Sequence, residues 1–259
     1  MRGRGTIHLS TLRLRIAYDG GPFAGWAVQP GLRTIQGELE TALARILPGP
    51  VGLTVAGRTD AGVHAWGQVA SLEVSGEAPD GLLRGLNALL PDEIVVLAAD
   101  RVDDGFDARR DARSRTYCYR VLASPVTSPF ERGRALHWPH RLERASLDGC
   151  AAALVGTHDF TAFTPTDSEH LRFERDVLRA EWRDGEAMGG EPGQLLEFWI
   201  EADAFMRHMV RVLVGTMLQV AGGRRPAEDF ERLLDGAPRE RAGETAPPHG
   251  LYLASVRFD

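Results

Sequence analysis

Residues 53–74 run Leu53-Thr-Val-Ala-Gly-Arg-Thr-Asp-Ala-Gly-Val-His-Ala-Trp-Gly-Gln-Val-Ala-Ser-Leu-Glu-Val74. Apolar segments at 53–56 and 66–74 flank a glycine-rich loop, Gly57-Arg-Thr-Asp-Ala-Gly62, a pattern that predicts two strands joined by a turn. Between Arg45 and Glu73 the only formally charged residues are Arg58 and Asp60, both in that loop. An aspartate beside glycine can simply shape a turn, with Arg58 neutralising it. A carboxylate held at the end of a sheet, with an arginine to keep it ionised, can equally act as nucleophile or base toward an electrophilic carbon. The residues alone leave both readings open.

Toward the N-terminus, Leu12, Leu14, Ile16 and Tyr18 alternate with Arg13, Arg15 and Ala17, the period of a half-exposed strand. Thr34 stands where a helix N-cap belongs, ahead of Ile35, Leu39, Ala42, Leu43 and Ile46 on one helical face. Residues 79–90 read as helix and 94–99 as a buried strand. The first hundred residues thus follow the order β-α-β-β-α-β, typical of two-layer α/β domains. Beyond them, 115–122, 177–182, 195–202 and 251–258 read as strands. Leu147, Cys150, Ala151, Leu154 and Val155 mark a helix face. A long helix is expected over 205–221, ended by Gly222-Gly223, and another over 226–234. The expectation is an α/β chain of two similar domains, residues 1–105 and 106–259, joined near 103–112. The like order of elements hints at duplication, although no residue-level repeat is visible.

Composition narrows the chemistry. The 259 residues suffice for one large domain or two ordinary ones. The 30 basic residues are all arginine, set against 36 acidic ones for a net charge of −6. Without lysine there is no Schiff-base chemistry and no P-loop ammonium. What remains is a planar fork of donors suited to phosphate, although a GC-rich coding bias would produce the same composition. The arginines are unevenly placed. Residues 106–121 hold Arg109, Arg110, Arg113, Arg115 and Arg120 interleaved with Tyr117 and Tyr119, and 205–225 hold Arg207, Arg211, Arg224 and Arg225 with no acid. Arg207 and Arg211, four apart, are expected on one helix face. Such islands in an acidic chain fit a surface that tracks phosphates beside stacking rings, or solvated faces paired with acids elsewhere. Val210, Val212, Leu213 and Val214 make the second helix largely buried, so an arginine on it needs a nearby anion.

Other classes drop out. Cys118 and Cys150 lie far apart and outside any C-x-x-C, against a disulfide framework or a zinc ribbon. His137 and His140 lack further ligands at metal spacing, and no G-x-S-x-G, H-E-x-x-H or G-x-G-x-x-G is present. Residues 1–14 are basic without an apolar core, so no secretory signal is expected. No apolar run exceeds six residues, as in 94–99, too short to span a bilayer. A cytoplasmic protein is expected.

Gly57-Arg-Thr-Asp-Ala-Gly-Val-His64 resembles the signature loop of the TruA-type tRNA pseudouridine synthases. Tyr18-Asp-Gly20, Gly25-Trp26 and Thr34-Ile-Gln36 resemble the opening motifs of that family. Phe106-Asp-Ala-Arg109 and Arg115-Thr-Tyr117-Cys-Tyr119 are similar to its central segment. His158-Asp-Phe160, Phe205-Met-Arg-His-Met-Val-Arg211 with Gly215, and Gly250-Leu-Tyr-Leu253 match later ones in order. The likeness runs from about Leu12 to Phe258.

The resemblance implies two similar domains, each a mainly antiparallel sheet with helices on one face, and an active-site cleft between them. It implies an isomerase that converts uridine to pseudouridine in the tRNA anticodon stem-loop at positions 38, 39 and 40. Asp60 would be the catalytic nucleophile, attacking C1′ of the ribose or C6 of the base. Arg58 would help hold the flipped nucleotide, Tyr117 would stack on the target base, and Arg211 would pair with the carboxylate. Arg109 and Arg207 would contact substrate. No metal or organic cofactor and no membrane is implied, and the working form would be a homodimer on tRNA. The chain departs from the family pattern at Ala27 and Val28, where Gln and Arg are common, at Asp107, where His is usual, and at Val212, where Asn is frequent. Two rival readings are an RNA-binding protein without catalysis and a hydrolase of N-glycosidic bonds. The first leaves the carboxylate without a task; the second would release free base.

Overall fold

The computed structural model describes residues 9–168, 171–188 and 194–259. The basic opening stretch through His8 lies outside the described residues. The chain divides into two compact units, Met1–Arg113 with Ser255–Asp259, and Ser114–Ala254.

In the first unit β1 (Leu9–Tyr18), α1 (Ile35–Ala44), β2 (Thr54–Val55), β3 (His64–Ser75), α2 (Leu82–Leu89) and β4 (Ile94–Val102) follow the expected order. β1 lies between β4 and β3, and β2 adds to β3, all antiparallel. The alternation in β1 does what its period requires: Leu12, Leu14, Ile16 and Tyr18 are buried, while Arg15 is exposed. Thr34 caps α1, its Oγ1 accepting the Gly37 N–H at 3.3 Å, and Ile35, Leu39, Ala42 and Leu43 are the buried face. β4 is not the buried strand its composition suggests. It sits at the edge of this sheet with one face open, leaving Val95 43% and Leu97 40% exposed.

The second unit contains β5 (Ser114–Leu122), β6 (Leu136–His137), α3 (Arg144–Ala153), β7 (Gly156–Asp159), β8 (Glu174–Gly185), β9 (Leu195–Ala202), α4 (Met209–Ala221) and α5 (Ala227–Arg232). β10 (Leu251–Arg257) carries the division between units within it. β5, β9, β8 and β7 pair antiparallel in that order, with β6 parallel to β5. Both units share one connection. A strand (β1; β5) leads through a helix (α1; α3) into an antiparallel pair (β2, β3; β8, β9) whose second strand returns beside the first. The mixed α/β class with mainly antiparallel sheet is as expected.

α4 is the buried helix of the second unit; ten of its thirteen residues are buried. Its end is a Schellman motif. Gly223 N–H donates to Val220 O and Arg224 N–H to Gln219 O, each at 2.9 Å. Its start corrects the expected span of 205–221. His208, with φ of 64°, turns the chain left-handed, and the helix begins only at Met209. Arg207 therefore precedes the helix and shares no helical face with Arg211. Val155 also departs from expectation: it lies just past α3 and is 51% exposed.

Candidate active site

The loop between β2 and β3 is fastened from below and leaves its carboxylate accessible. Gln68, fully buried in β3, donates through Nε2 to Gly57 O at 2.7 Å and to Tyr18 Oη at 3.3 Å. The Tyr18 hydroxyl meets Thr59 Oγ1 at 2.7 Å. Trp26 N–H donates to Thr59 O at 3.0 Å, and Val63 N–H closes the turn on Asp60 O at 3.2 Å. Gly25 approaches so closely that a Cβ there would stand 3.0 Å from Thr59 O and 3.1 Å from Ala61 N, and its φ of 98° is itself one that favours glycine. The backbone on both sides of Asp60 is thus held by β1, β3 and the 24–26 turn. Asp60 itself is half-exposed and Arg58 exposed.

Gln68, in none of the quoted motifs, supports this loop, and the part played by Tyr18, which opens one of those motifs, appears only in its contacts. The available signal is an amide inside an apolar strand, which must find partners once buried. Burial pushes the Tyr18 hydroxyl up to about 12, against an ordinary 10.0. A raised folded-state value means the neutral phenol stabilises the fold fully below pH 10 and loses that contribution as pH rises toward 12. The rise is worth roughly 3 kcal/mol. Tyr18→Phe should therefore flatten the fall of stability between pH 10 and 12 in denaturant melts. An unchanged alkaline profile would contradict this.

The other candidates in the first unit gather in the turn after β4. Asp107 Oδ1 accepts the N–H groups of Arg109 and Arg110 at 2.9 and 2.8 Å, and Asp107 N–H donates to Asp111 Oδ2 at 2.8 Å. The acid that stands where histidine is usual is thus a local turn cap, its charge met by backbone donors. Ala108, between them, is buried and donates its N–H to Ser71 Oγ at 3.0 Å. Arg109 projects from this turn and is exposed. Val28, one of the departures where an apolar residue stands, is 54% exposed.

In the second unit Tyr117, on β5, is buried, and the ring of Phe205 meets it edge to face at 4.9 Å. Such a contact fixes a ring plane and adds about 0.5–1.5 kcal/mol beyond burial. Phe205 belongs to the segment between β9 and α4 that ends at the left-handed His208. Arg211, half-buried near the start of α4, donates Nε–H to Ala246 O at 2.8 Å, while Ala246 N–H donates back to Arg211 O at 3.1 Å. Tyr119 donates its hydroxyl to Pro247 O at 2.8 Å; burial pushes that phenol up, and the Arg211 charge opposes the rise. His249 is held below the ordinary histidine range, mainly by burial, with the Arg211 charge adding to the effect. Arg207 takes a different course and pairs with Asp167. Val212, where asparagine is frequent, is fully buried.

Cys118 and Cys150 are buried free thiols pushed up by burial, Cys150 to about 12, so neither is a thiolate at neutral pH. His137 Nε2 bonds Ser124 O at 2.8 Å, and His140 stacks edge-on against Trp138. Among the described residues no group of three or more His, Cys, Asp or Glu could hold a metal ion, and no helix is long and apolar enough to cross a membrane.

Comparison with known proteins identifies the family. A family profile described as tRNA pseudouridine synthase matches residues 150–259. The protein named tRNA pseudouridine synthase A from Frankia casuarinae is 43% identical over 98% of this chain and 91% of its own length. Proteins of the same name from Lacticaseibacillus casei and Bacillus pumilus are 39% and 38% identical, over 95% and 96% of this chain and 98% and 99% of theirs. With identity of this order over nearly its whole length, the chain belongs to the tRNA pseudouridine synthase A family.

Proposed function

We propose that this chain isomerises uridine to pseudouridine in the tRNA anticodon stem-loop, at positions 38, 39 and 40, with Asp60 as the nucleophile. The N1–C1′ bond breaks, the base turns, and a C5–C1′ bond forms. C5 loses its hydrogen as a proton and N1 gains one, so mass and oxidation state are unchanged and no cofactor is needed. The target base must leave its stack, at a cost of a few kcal/mol. Stacking on the Tyr117 ring, about 1–3 kcal/mol, offsets much of this. Arg58 helps hold the flipped nucleotide. Arg211 serves as the partner of the carboxylate, and Arg109 and Arg207 bind phosphates, which positions the stem without reading its sequence. The working form is a homodimer in the cytoplasm.

The observation that carries this reading is the Asp60 loop. Its backbone is pinned through Gly57 O, Thr59 O and Thr59 Oγ1 while the Asp60 side chain stays half-exposed. A turn built only for shape has no use for that combination. The test uses tRNA carrying tritium at uridine C5. Tritium should be released in proportion to pseudouridine formed, with no free uracil. Free uracil would identify a hydrolase and overturn the reading.

A further inference from the structure

Past the C-terminal end of α4, Arg225, Asp229, Arg232, Leu233, Ala237 and Arg241 line a pocket of about 120 Å³. This is room for several waters, or for a small anion on the scale of a phosphate group. Three guanidinium groups face one carboxylate there. Asp229 is already engaged, by Arg232 one turn along α5 at 3.1 Å. Among the described residues no carboxylate pairs with Arg225 or Arg241. The Arg225 Nε–H is buried without a hydrogen-bond partner, and its Nη2 reaches only Gln219 Oε1, at 3.5 Å. A buried charged donor left unsatisfied costs free energy that an anion in the pocket recovers.

We infer that this pocket binds a backbone phosphodiester of the RNA substrate, apart from the reacting nucleotide. The inference rests on the proposed reaction for the identity of the RNA. From Arg211 to Ala221, α4 advances ~15 Å at 1.5 Å per residue, so the pocket lies at the far end of the helix from Arg211. The second arginine island thus divides. Arg211 serves the start of α4, and Arg225, with Arg232 and Arg241, holds the strand farther on.

The test measures tRNA affinity from about 50 to 200 mM salt, alongside steady-state turnover. It compares wild type with the Arg225→Gln/Arg241→Gln double variant, and with Arg84→Gln on the exposed face of α2 as a control. Losing one phosphate contact should flatten the slope of log affinity against log salt by about 0.7–0.9. The double variant should also raise KM about tenfold at low salt, with kcat unchanged, while the control moves neither. Unchanged slope and KM would overturn the inference, as would a fall in kcat with the slope unchanged. Inorganic phosphate that protects wild type but not the double variant against melting, with an unaltered tRNA slope, would make this a free-anion site and overturn the RNA assignment. The Arg241→Gln single variant, at an exposed residue, keeps the test readable if the double variant misfolds. Because the slope needs no turnover, an inactive wild type would sink the proposed reaction and leave this measurement standing.

Discussion

Asp60→Asn should release tritium from C5-labelled tRNA at least about 10⁴-fold more slowly than wild type, equal to roughly 5.5 kcal/mol in the barrier. The amide keeps the size and the backbone of the loop, including the Asp60 carbonyl that accepts Val63 N–H, but it has no lone pair able to open the glycosidic bond or add to the base. Binding should survive. The phosphate contacts assigned to arginine are untouched, and removing a negative charge beside a polyanion tightens binding if it changes it at all. Turnover within tenfold of wild type would remove Asp60 from the chemistry. Loss of binding together with turnover would make it a substrate-positioning group instead.

The second large effect concerns Gly215, inside α4. Helix propensity alone says that Gly215→Ala should stabilise by about 1 kcal/mol. The surroundings reverse the sign. A Cβ at 215 would stand 1.9 Å from the carbonyl oxygen of Glu244, and that oxygen belongs to backbone that cannot simply swing away. The 243–246 segment is tied along α4 at three points. Gly243 N–H donates to Thr216 Oγ1 at 2.9 Å, Ala246 N–H to Arg211 O at 3.1 Å, and Arg211 Nε–H to Ala246 O at 2.8 Å. Forcing extra atoms into such a contact costs about 1–3 kcal/mol or more, and the segment that gives way is the one that orients Arg211. Gly215→Ala should therefore lower Tm by about 5 °C or more and reduce turnover as well. Gly149→Ala is the control. It lies in the middle of α3 with open space where the Cβ would go, so propensity decides and stability should rise by about 0.5–1 kcal/mol. Equal effects of the two substitutions would contradict the packing argument.

The parts of the fold that follow from local chemistry were legible. The alternation in β1, the Thr34 cap and the Gly222-Gly223 stop each depend on a few neighbouring residues, and each is realised. The start of α4 was not legible, because it depends on a left-handed His208, and histidine carries no local signal comparable to glycine. β6 and β7 span two and four residues, too short for any period to register. The exposure of Val95 and Leu97 on one face of β4 depends on which elements pack over the sheet, a matter of topology rather than composition. The candidate site divides in the same way. Asp60 and Arg58 stood out as the only charges in an apolar stretch, whereas the roles of Tyr18, Gln68 and Phe205 are long-range contacts. Gln68 bonds across the strand to Tyr18, fifty residues away. Asp107 shows the limit of reading by resemblance, since a departure from a family pattern turns out to close its own turn.

The most direct test is to map pseudouridine in unmodified tRNA after incubation with wild type and with Asp60→Asn. The account predicts new pseudouridine at positions 38, 39 and 40 with wild type and none with the variant. Pseudouridine confined to other positions, or the same conversion by the variant, would contradict it.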